Sequence, residues 1–145
     1  MMESVIIYWS RYGNGKKAVD YLADKMNKKD VKIKVYRTEE ANPAAMPDVD
    51  IYIFSAPTEA FSIQRNMKIF MKKLNGMEEK KYGIMNTHAM KGNMLKKMEK
   101  ILAKKNMIKV AEVEIKVGKE AEKGNALMDG WQKKIDEFAY TLVKK

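Results

Sequence analysis

The feature that most constrains this chain is an alternation of strand-like and helix-like apolar patterns, repeated five times. Short apolar runs predict strands, whereas apolar residues spaced at i, i+3, i+4 and i+7, as in residues 16–28, predict helices. Strands that alternate with helices favour a parallel sheet covered by helices on both faces. The sequence therefore predicts an α/β fold of three layers, and we expect residues 1–145 to form a single domain.

The predicted strands differ in how much of their surface is apolar. In residues 31–35, apolar side chains alternate with lysines, which predicts an edge strand. Residues 51–55 are apolar throughout and predict a central strand. The predicted strands are Val5–Trp9, Val31–Val35, Ile51–Ser55, Tyr82–Thr87 and Ile108–Val117. After the first helix, the predicted helices are Met67–Leu74 (ended by Asn75 and Gly76), Met94–Leu102 and Leu127–Leu142.

The composition narrows the chemistry that the chain can perform. There are no cysteines, which excludes disulfides, thiolate catalysis and Cys-ligated metals. One histidine makes a zinc or iron site improbable, so we expect no metal site. The sequence shows no apolar run long enough for a membrane span and no signal-peptide pattern, so we expect a cytoplasmic protein.

The formal net charge is +10, which raises the question of nucleic-acid binding. Among the basic residues, only Arg11, Arg37 and Arg65 are arginines, the type preferred for bidentate phosphate and base contacts. The lysines also lie among acids, as in residues 78–81. We therefore expect a solvated lysine-rich surface rather than a nucleic-acid interface. Charge complementarity favours partner proteins with acidic docking surfaces.

The loop between the first strand and the first helix is suited to a phosphate. It reads Ser10-Arg11-Tyr12-Gly13-Asn14-Gly15, and a helix is predicted to begin at Lys16. Backbone N–H groups of such a turn, with the positive end of a helix dipole behind them, bind anions. The spacing matches neither the dinucleotide fingerprint nor the Walker A loop. A single terminal phosphate, as on FMN, fits best.

Three loops should meet at one edge of the predicted sheet. Ligands of open parallel sheets bind beyond the carboxyl ends of the strands. The loops there are 10–15, 56–62 and 88–93, which carry small, polar and aromatic residues suited to a flat polar ligand.

The chain resembles the flavodoxins over nearly all of its length. The second loop, Ser55-Ala56-Pro57-Thr58, is similar to the family's Gly-Ser-Pro-Thr segment, and residues 124–130 are similar to its Gly-Pro-Leu-x-x-Gly segment. The uninterrupted fifth strand resembles that of the short-chain branch. The residues that match the family's opening signature are Ile6, Ile7, Tyr8, Ser10, Gly13 and Leu22.

The resemblance implies a flavodoxin fold with strand order 2-1-3-4-5, noncovalent FMN, and electron shuttling between redox partners without catalytic side chains. It implies a phosphate site formed by Ser10, Tyr12, Gly13, Asn14 and Gly15. It implies that one side of the flavin ring is lined by Pro57, Thr58, Glu59, Ala60 and Phe61. It implies that the other side is lined by Asn86, Thr87, His88, Met90 and Lys91.

Three departures from the family pattern bear on this site. Gly15 replaces a threonine whose hydroxyl would bind the phosphate, and Arg11 can offset that loss through a charge-assisted bond. No glycine lies between residues 56 and 75, so the peptide flip that stabilises a one-electron-reduced flavin is hindered by a Cβ. The third loop lacks the tyrosine that covers the ring, leaving His88, Met90, Phe61 or Trp9 for that role.

Several alternatives remain open at this stage. His88 is either a surface residue or a flavin contact, including a proton donor. Trp9 is either core or ring contact, and Glu59 is either a surface carboxylate or a partner of the flavin edge. The alternatives to an electron carrier are an FMN-dependent oxidoreductase, of the quinone or flavin reductase or protoporphyrinogen oxidase type, and a flavin-free binding module.

Overall fold

A computed structural model describes residues 1–89, 94–118, 124 and 126–144. Its strands are β1 (Glu3–Tyr8), β2 (Lys32–Arg37), β3 (Ile51–Glu59), β4 (Ser62–Ile63), β5 (Lys81–His88) and β6 (Ile108–Lys116). Its helices are α1 (Asn14–Asn27), α2 (Arg65–Lys72), α3 (Leu95–Ala103) and α4 (Trp131–Val143), with one 3₁₀ turn at Thr38–Glu40.

Five strands form a parallel sheet in the order β2-β1-β3-β5-β6. This is the predicted order, and it places β2 at an edge and β3 at the centre, as the patterns of lysines and apolar residues indicated. The short strand β4, which the sequence did not predict, pairs antiparallel with the end of β3. The main sheet confirms the predicted fold class, with this hairpin as an addition.

Helices cover both faces of the sheet, because side chains of a strand alternate between its two sides. On one face Ile7 and Phe54 pack with residues of α2 and α3. On the other face Ile6 and Ile53 pack with residues of α1 and α4. Both faces are apolar, which explains why the central strands read as continuous apolar runs.

The helix boundaries differ from the sequence prediction by one to four residues, and the starts of α1 and α4 show why. Helix α1 begins at Asn14 rather than Lys16, because Gly13 adopts a left-handed φ of 97° and its carbonyl accepts the N–H of Lys17 at 2.9 Å. Leu127 forms a β-bridge with Val117 and precedes α4, which starts after Gly130. Within the described residues, no helix combines the length and apolar character that crossing a membrane requires.

Candidate functional site

A cleft of about 350 Å³ opens at the carboxyl ends of β1, β3 and β5. Its position is that of ligand sites in open parallel sheets, and its volume lies in the range of small-molecule pockets. The residues that line it are Trp9, Ser10, Arg11, Tyr12, Asn14, Gly15, Pro57, Thr58, Glu59, Ala60, Thr87, His88, Ala89 and Val117.

Most of the predicted site residues line this cleft. The others lie beside or behind it, or outside the described residues. Gly13 immediately precedes helix α1 beside the cleft, and Asn86 is fully buried behind the cleft wall. Phe61 lies outside the lining and is 71% exposed. Met90 and Lys91 lie outside the described residues. Trp9 lines the cleft, as does Ala89 of the predicted loop 88–93. Val117, which the sequence did not indicate, lines it as well.

The loop before α1 presents backbone donors to the cleft. Ser10 Oγ accepts the N–H of Gly13 at 3.1 Å, which fixes the turn. Gly13 has no side chain with which to cap the helix. The first N–H groups of a helix have no partner within it, and those of Gly15 and Lys16 belong to this group. With the positive end of the helix dipole, they form an environment suited to a phosphate.

A distant segment packs directly against this phosphate loop. A Cβ on Gly124 would lie 2.2 Å from the carbonyl oxygen of Tyr12, and Gly124 has a left-handed φ of 71°. The N–H of Ala126 donates to Asn14 Oδ1 at 2.9 Å. The Asn14 amide oxygen therefore holds the two segments together, and the approach at Gly124 requires a residue without a side chain.

An ion pair joins two loops across the cleft. Arg11 donates from Nε to Glu59 Oε2 at 2.7 Å and from a terminal nitrogen to Oε1 at 2.9 Å. The guanidinium also lies 4.9 Å from the centre of the Trp9 ring, a cation–π distance. Glu59 is thus paired with Arg11, and the guanidinium neutralises the carboxylate charge at the rim of the cleft.

The hairpin that follows Glu59 turns through two left-handed residues. Ala60 has φ of 49° and Phe61 has φ of 59°, between the paired residues Glu59 and Ser62. Two-residue hairpins of this kind favour Asn and Gly, because a Cβ is strained at positive φ. The carbonyl of Phe61 accepts from Lys97 Nζ at 3.2 Å. The backbone therefore adopts a left-handed turn at the cleft without a glycine.

Asn86 connects three segments behind the cleft. Its Nδ2 donates to the carbonyl of Ala56 at 3.0 Å. Its Oδ1 accepts from the backbone N–H of Met94 at 3.0 Å and from the hydroxyl of Thr58 at 3.2 Å. One buried side chain therefore fixes the end of β3 and the start of α3 relative to β5.

His88 is buried, so its interpretation as a surface residue is wrong. The Glu114 carboxylate on β6 is hydrogen-bonded to Nε2 of His88. Lys134 of α4 donates to Glu114 Oε1 at 3.1 Å. The hydrogen bond from His88, and secondarily the contact with Lys134, lower the pKa of Glu114 below its usual 4.5.

Glu114→Gln should destabilise the fold in a pH-dependent manner. Because folding lowers the pKa of Glu114, its contribution is fully present above the unfolded pKa and is lost as pH falls through the folded pKa. We expect a loss of about 1 kcal/mol at pH 5.5 that shrinks as the pH is lowered from there. Urea unfolding of wild type, Glu114→Gln and the exposed control Glu137→Gln across this range measures it. A difference that is constant with pH would contradict the prediction.

Comparisons with known proteins place this geometry in a fold family. No protein-family model and no curated protein sequence matches the chain. Many solved structures are similar to it, among them a short-chain flavodoxin associated with a non-canonical PDU bacterial microcompartment. That structure has a TM-score of 0.79 and 17% identity, with 99% of this chain and 98% of that chain covered. Flavodoxin 2 from Bacillus cereus has a TM-score of 0.80 and 16% identity, with 96% of each chain covered.

A larger protein contains the same fold as one part. Rubredoxin oxygen:oxidoreductase from Desulfovibrio gigas is similar with a TM-score of 0.79 and 17% identity, and the match covers 96% of this chain but 34% of that one. At these identities the similarity defines the fold. The chain has the flavodoxin fold, as its sequence resemblance predicted.

Proposed function

We propose that the protein binds FMN noncovalently and transfers electrons between redox partner proteins. The observation that carries this proposal is the cleft at the carboxyl edge of a flavodoxin-fold sheet, bordered by the phosphate loop at the start of α1. Bound FMN would supply one- and two-electron transfer. We also propose a cytoplasmic location, from the sequence, and partner proteins with acidic docking surfaces.

In this proposal the residues of the chain bind and orient the flavin. Backbone N–H groups at Gly15 and Lys16 would hold the phosphate, and Ser10 keeps the turn in position through Gly13. Trp9 and His88 provide flat surfaces in the cleft wall. The Arg11–Glu59 pair keeps the loops on either side of the cleft together.

Reconstitution tests the proposal directly. Purified protein is titrated with FMN, and quenching of flavin fluorescence is compared with that of riboflavin, which lacks the phosphate. We expect saturable binding of FMN that is at least about tenfold tighter than that of riboflavin, because charge-assisted bonds to the phosphate are lost in riboflavin. A protein that takes up no FMN would overturn the proposal and leave the flavin-free binding module. Turnover of NAD(P)H with a quinone or free flavin would indicate the oxidoreductase.

Gly15→Thr should tighten FMN binding. A Cβ at this position would lie 3.5 Å from Ser10 Oγ, an ordinary contact, so the site accepts a side chain. The added hydroxyl can donate to the phosphate, which is worth about 0.5–1.5 kcal/mol, or roughly 2- to 12-fold in Kd. The matched control is Gly15→Ala, which removes the same helix glycine but adds no donor. Equal FMN affinities of the two variants, or an equal gain for riboflavin, would contradict the prediction.

A further inference from the structure

The positive charge of the chain is concentrated on one side of the sheet. Helices α2 and α3, with the residues that follow them to Lys73 and Lys105, carry nine basic residues and one carboxylate, so +8 of the net +10 lies there. Helices α1 and α4, extended in the same way to Lys29 and Lys144, together carry +4. Because α2 and α3 cover the same sheet face, their charges share one surface. We name this surface the basic face: Arg65, Lys68, Lys72, Lys73, Lys96, Lys97, Lys100, Lys104 and Lys105.

The arrangement of these charges opposes helix stability. Lys96 and Lys100 are like charges at i, i+4, a spacing that destabilises a helix, and Lys68 repeats it with Lys72. None of the four described helices has an acidic residue in its first turn, so this feature is common to both sides of the sheet. On the opposite side, α1 pairs its charges, as in Lys16–Asp20 at 2.7 Å. Lys72 and Lys100 stabilise the last turns of their helices, and Lys105 donates to the carbonyl of Lys72 at 2.7 Å. These local contacts do not account for the density of like charge, which a binding role explains.

The basic face extends to the rim of the cleft. Lys97 of α3 donates to the carbonyl of Phe61 at 3.2 Å, at the tip of the β3–β4 hairpin. Thr58 and Glu59, on the β3 strand of that hairpin, line the cleft. Phe61 is a large apolar side chain that is 71% exposed at this junction. A partner seated on the basic face and Phe61 would lie beside the cleft opening.

The chemistry of the basic face favours an acidic protein as partner. Eight of its nine cations are lysines, which lack the planar fork of arginine for bidentate phosphate contacts. Phe70, the single aromatic residue of the two helices, is buried, which leaves Phe61 as one exposed ring at their edge, whereas proteins that bind single strands stack successive bases on several aromatic side chains. Helices that lie on membranes present a row of exposed large apolar residues. Helices α2 and α3 present a single one, Ile69, so the basic face is not suited to a membrane surface.

We propose that the basic face, together with Phe61, is the docking surface for an acidic electron-transfer protein. This inference rests on the proposed function, because docking at the rim would bring the redox centre of the partner close to the flavin proposed to occupy the cleft. Complementary charge would steer the encounter and set its orientation.

The test compares two triple variants with the same change in net charge. One is Lys72→Glu, Lys96→Glu and Lys100→Glu on the basic face, and the control is Lys29→Glu, Lys133→Glu and Lys144→Glu on the α1–α4 side. The probe is a net-negative plant-type [2Fe–2S] ferredoxin, titrated into the full chain with and without FMN. Kd comes from calorimetry, and amide NMR shifts map the contact. We expect Kd to rise about tenfold or more in the basic-face variant and about twofold or less in the control.

The other possible outcomes distinguish the docking surface, the class of partner and the proposed FMN binding from one another. Equal weakening by both variants, or shifts that map to α1 and α4, would overturn the docking surface whatever the flavin result. Tighter binding to a 20-base-pair DNA duplex or to phosphatidylserine vesicles than to the ferredoxin, lost in the basic-face variant, would overturn the assignment to a protein partner. Failure to bind FMN would overturn the proposed function, while the shift map of the apoprotein still decides the docking surface.

Discussion

Gly124→Ala is expected to weaken FMN binding about tenfold or more and to destabilise the fold by about 2–4 kcal/mol. The new Cβ would lie 2.2 Å from the carbonyl oxygen of Tyr12, which is backbone and has no alternative rotamer. Gly124 must then move away from the phosphate loop. Its movement would also strain the hydrogen bond between Ala126 and Asn14 in the first turn of α1.

Gly76→Ala is the matched control for this prediction. Gly76 has the same left-handed φ of 71°, but no described atom lies within 4 Å of its added Cβ. It should therefore show the backbone strain alone, about 1–2 kcal/mol, and no change in FMN affinity. Urea unfolding and FMN titration of both variants measure the two effects. Equal behaviour of the variants would show that the close approach at Tyr12 does not shape the site.

Asn86→Ala is expected to cost about 2–4 kcal/mol and to weaken FMN binding. The side chain is fully buried, and its loss leaves the carbonyl of Ala56 and the N–H of Met94 without this partner. Each unsatisfied buried group costs about 1–3 kcal/mol. The end of β3 and the start of α3 would also lose their common anchor.

Two further variants define how this cost arises. Asn75→Ala, at an exposed position after α2, should change stability by about 0.5 kcal/mol or less. Thr58→Val removes one hydrogen bond to Asn86 Oδ1 and should cost about 0.5–1.5 kcal/mol. If Asn86→Ala proves as mild as Asn75→Ala, the side chain does not anchor the three segments.

The fold was predictable because its signals are local. The alternation of apolar strands and helix stripes defines the elements, and the lysines of β2 identify an edge. The hairpin of β3 and β4 was not predicted because its turn, Ala60 and Phe61, lacks the Asn or Gly that signals such a turn. The start of α1 was misplaced because Gly13 was assigned to the loop alone.

The contacts that organise the site were less predictable than its loops. Arg11 and Glu59 are 48 residues apart, and His88 and Glu114 are 26 apart. From its neighbours in sequence alone, each of these residues is interpreted as a surface charge or as a loop histidine. The Arg11–Glu59 pair depends on the pairing of β1 with β3, and the His88–Glu114 pair depends on the pairing of β5 with β6. Neither register can be inferred from one segment alone. Sequence reasoning therefore identified the loops around the cleft but missed Glu114.

The expected lysine-rich surface also needed the three-dimensional arrangement for its interpretation. Lysines lie among acids at residues 78–81, which suggested an evenly solvated surface. Helices α2 and α3 lack that mixture, and the fold brings them side by side although they are separated along the chain by β5. The charge is therefore asymmetric between the two faces of the sheet.

The buried position of His88 makes it a natural spectroscopic label. It is the single histidine of the chain, and it lies in the cleft wall. Because the chain has no second histidine, an imidazole Cε1–H signal in its proton NMR spectrum is assigned without mutation. Ligand screening, loop variants and partner titrations can all be followed at the cleft through one residue that the sequence already provides.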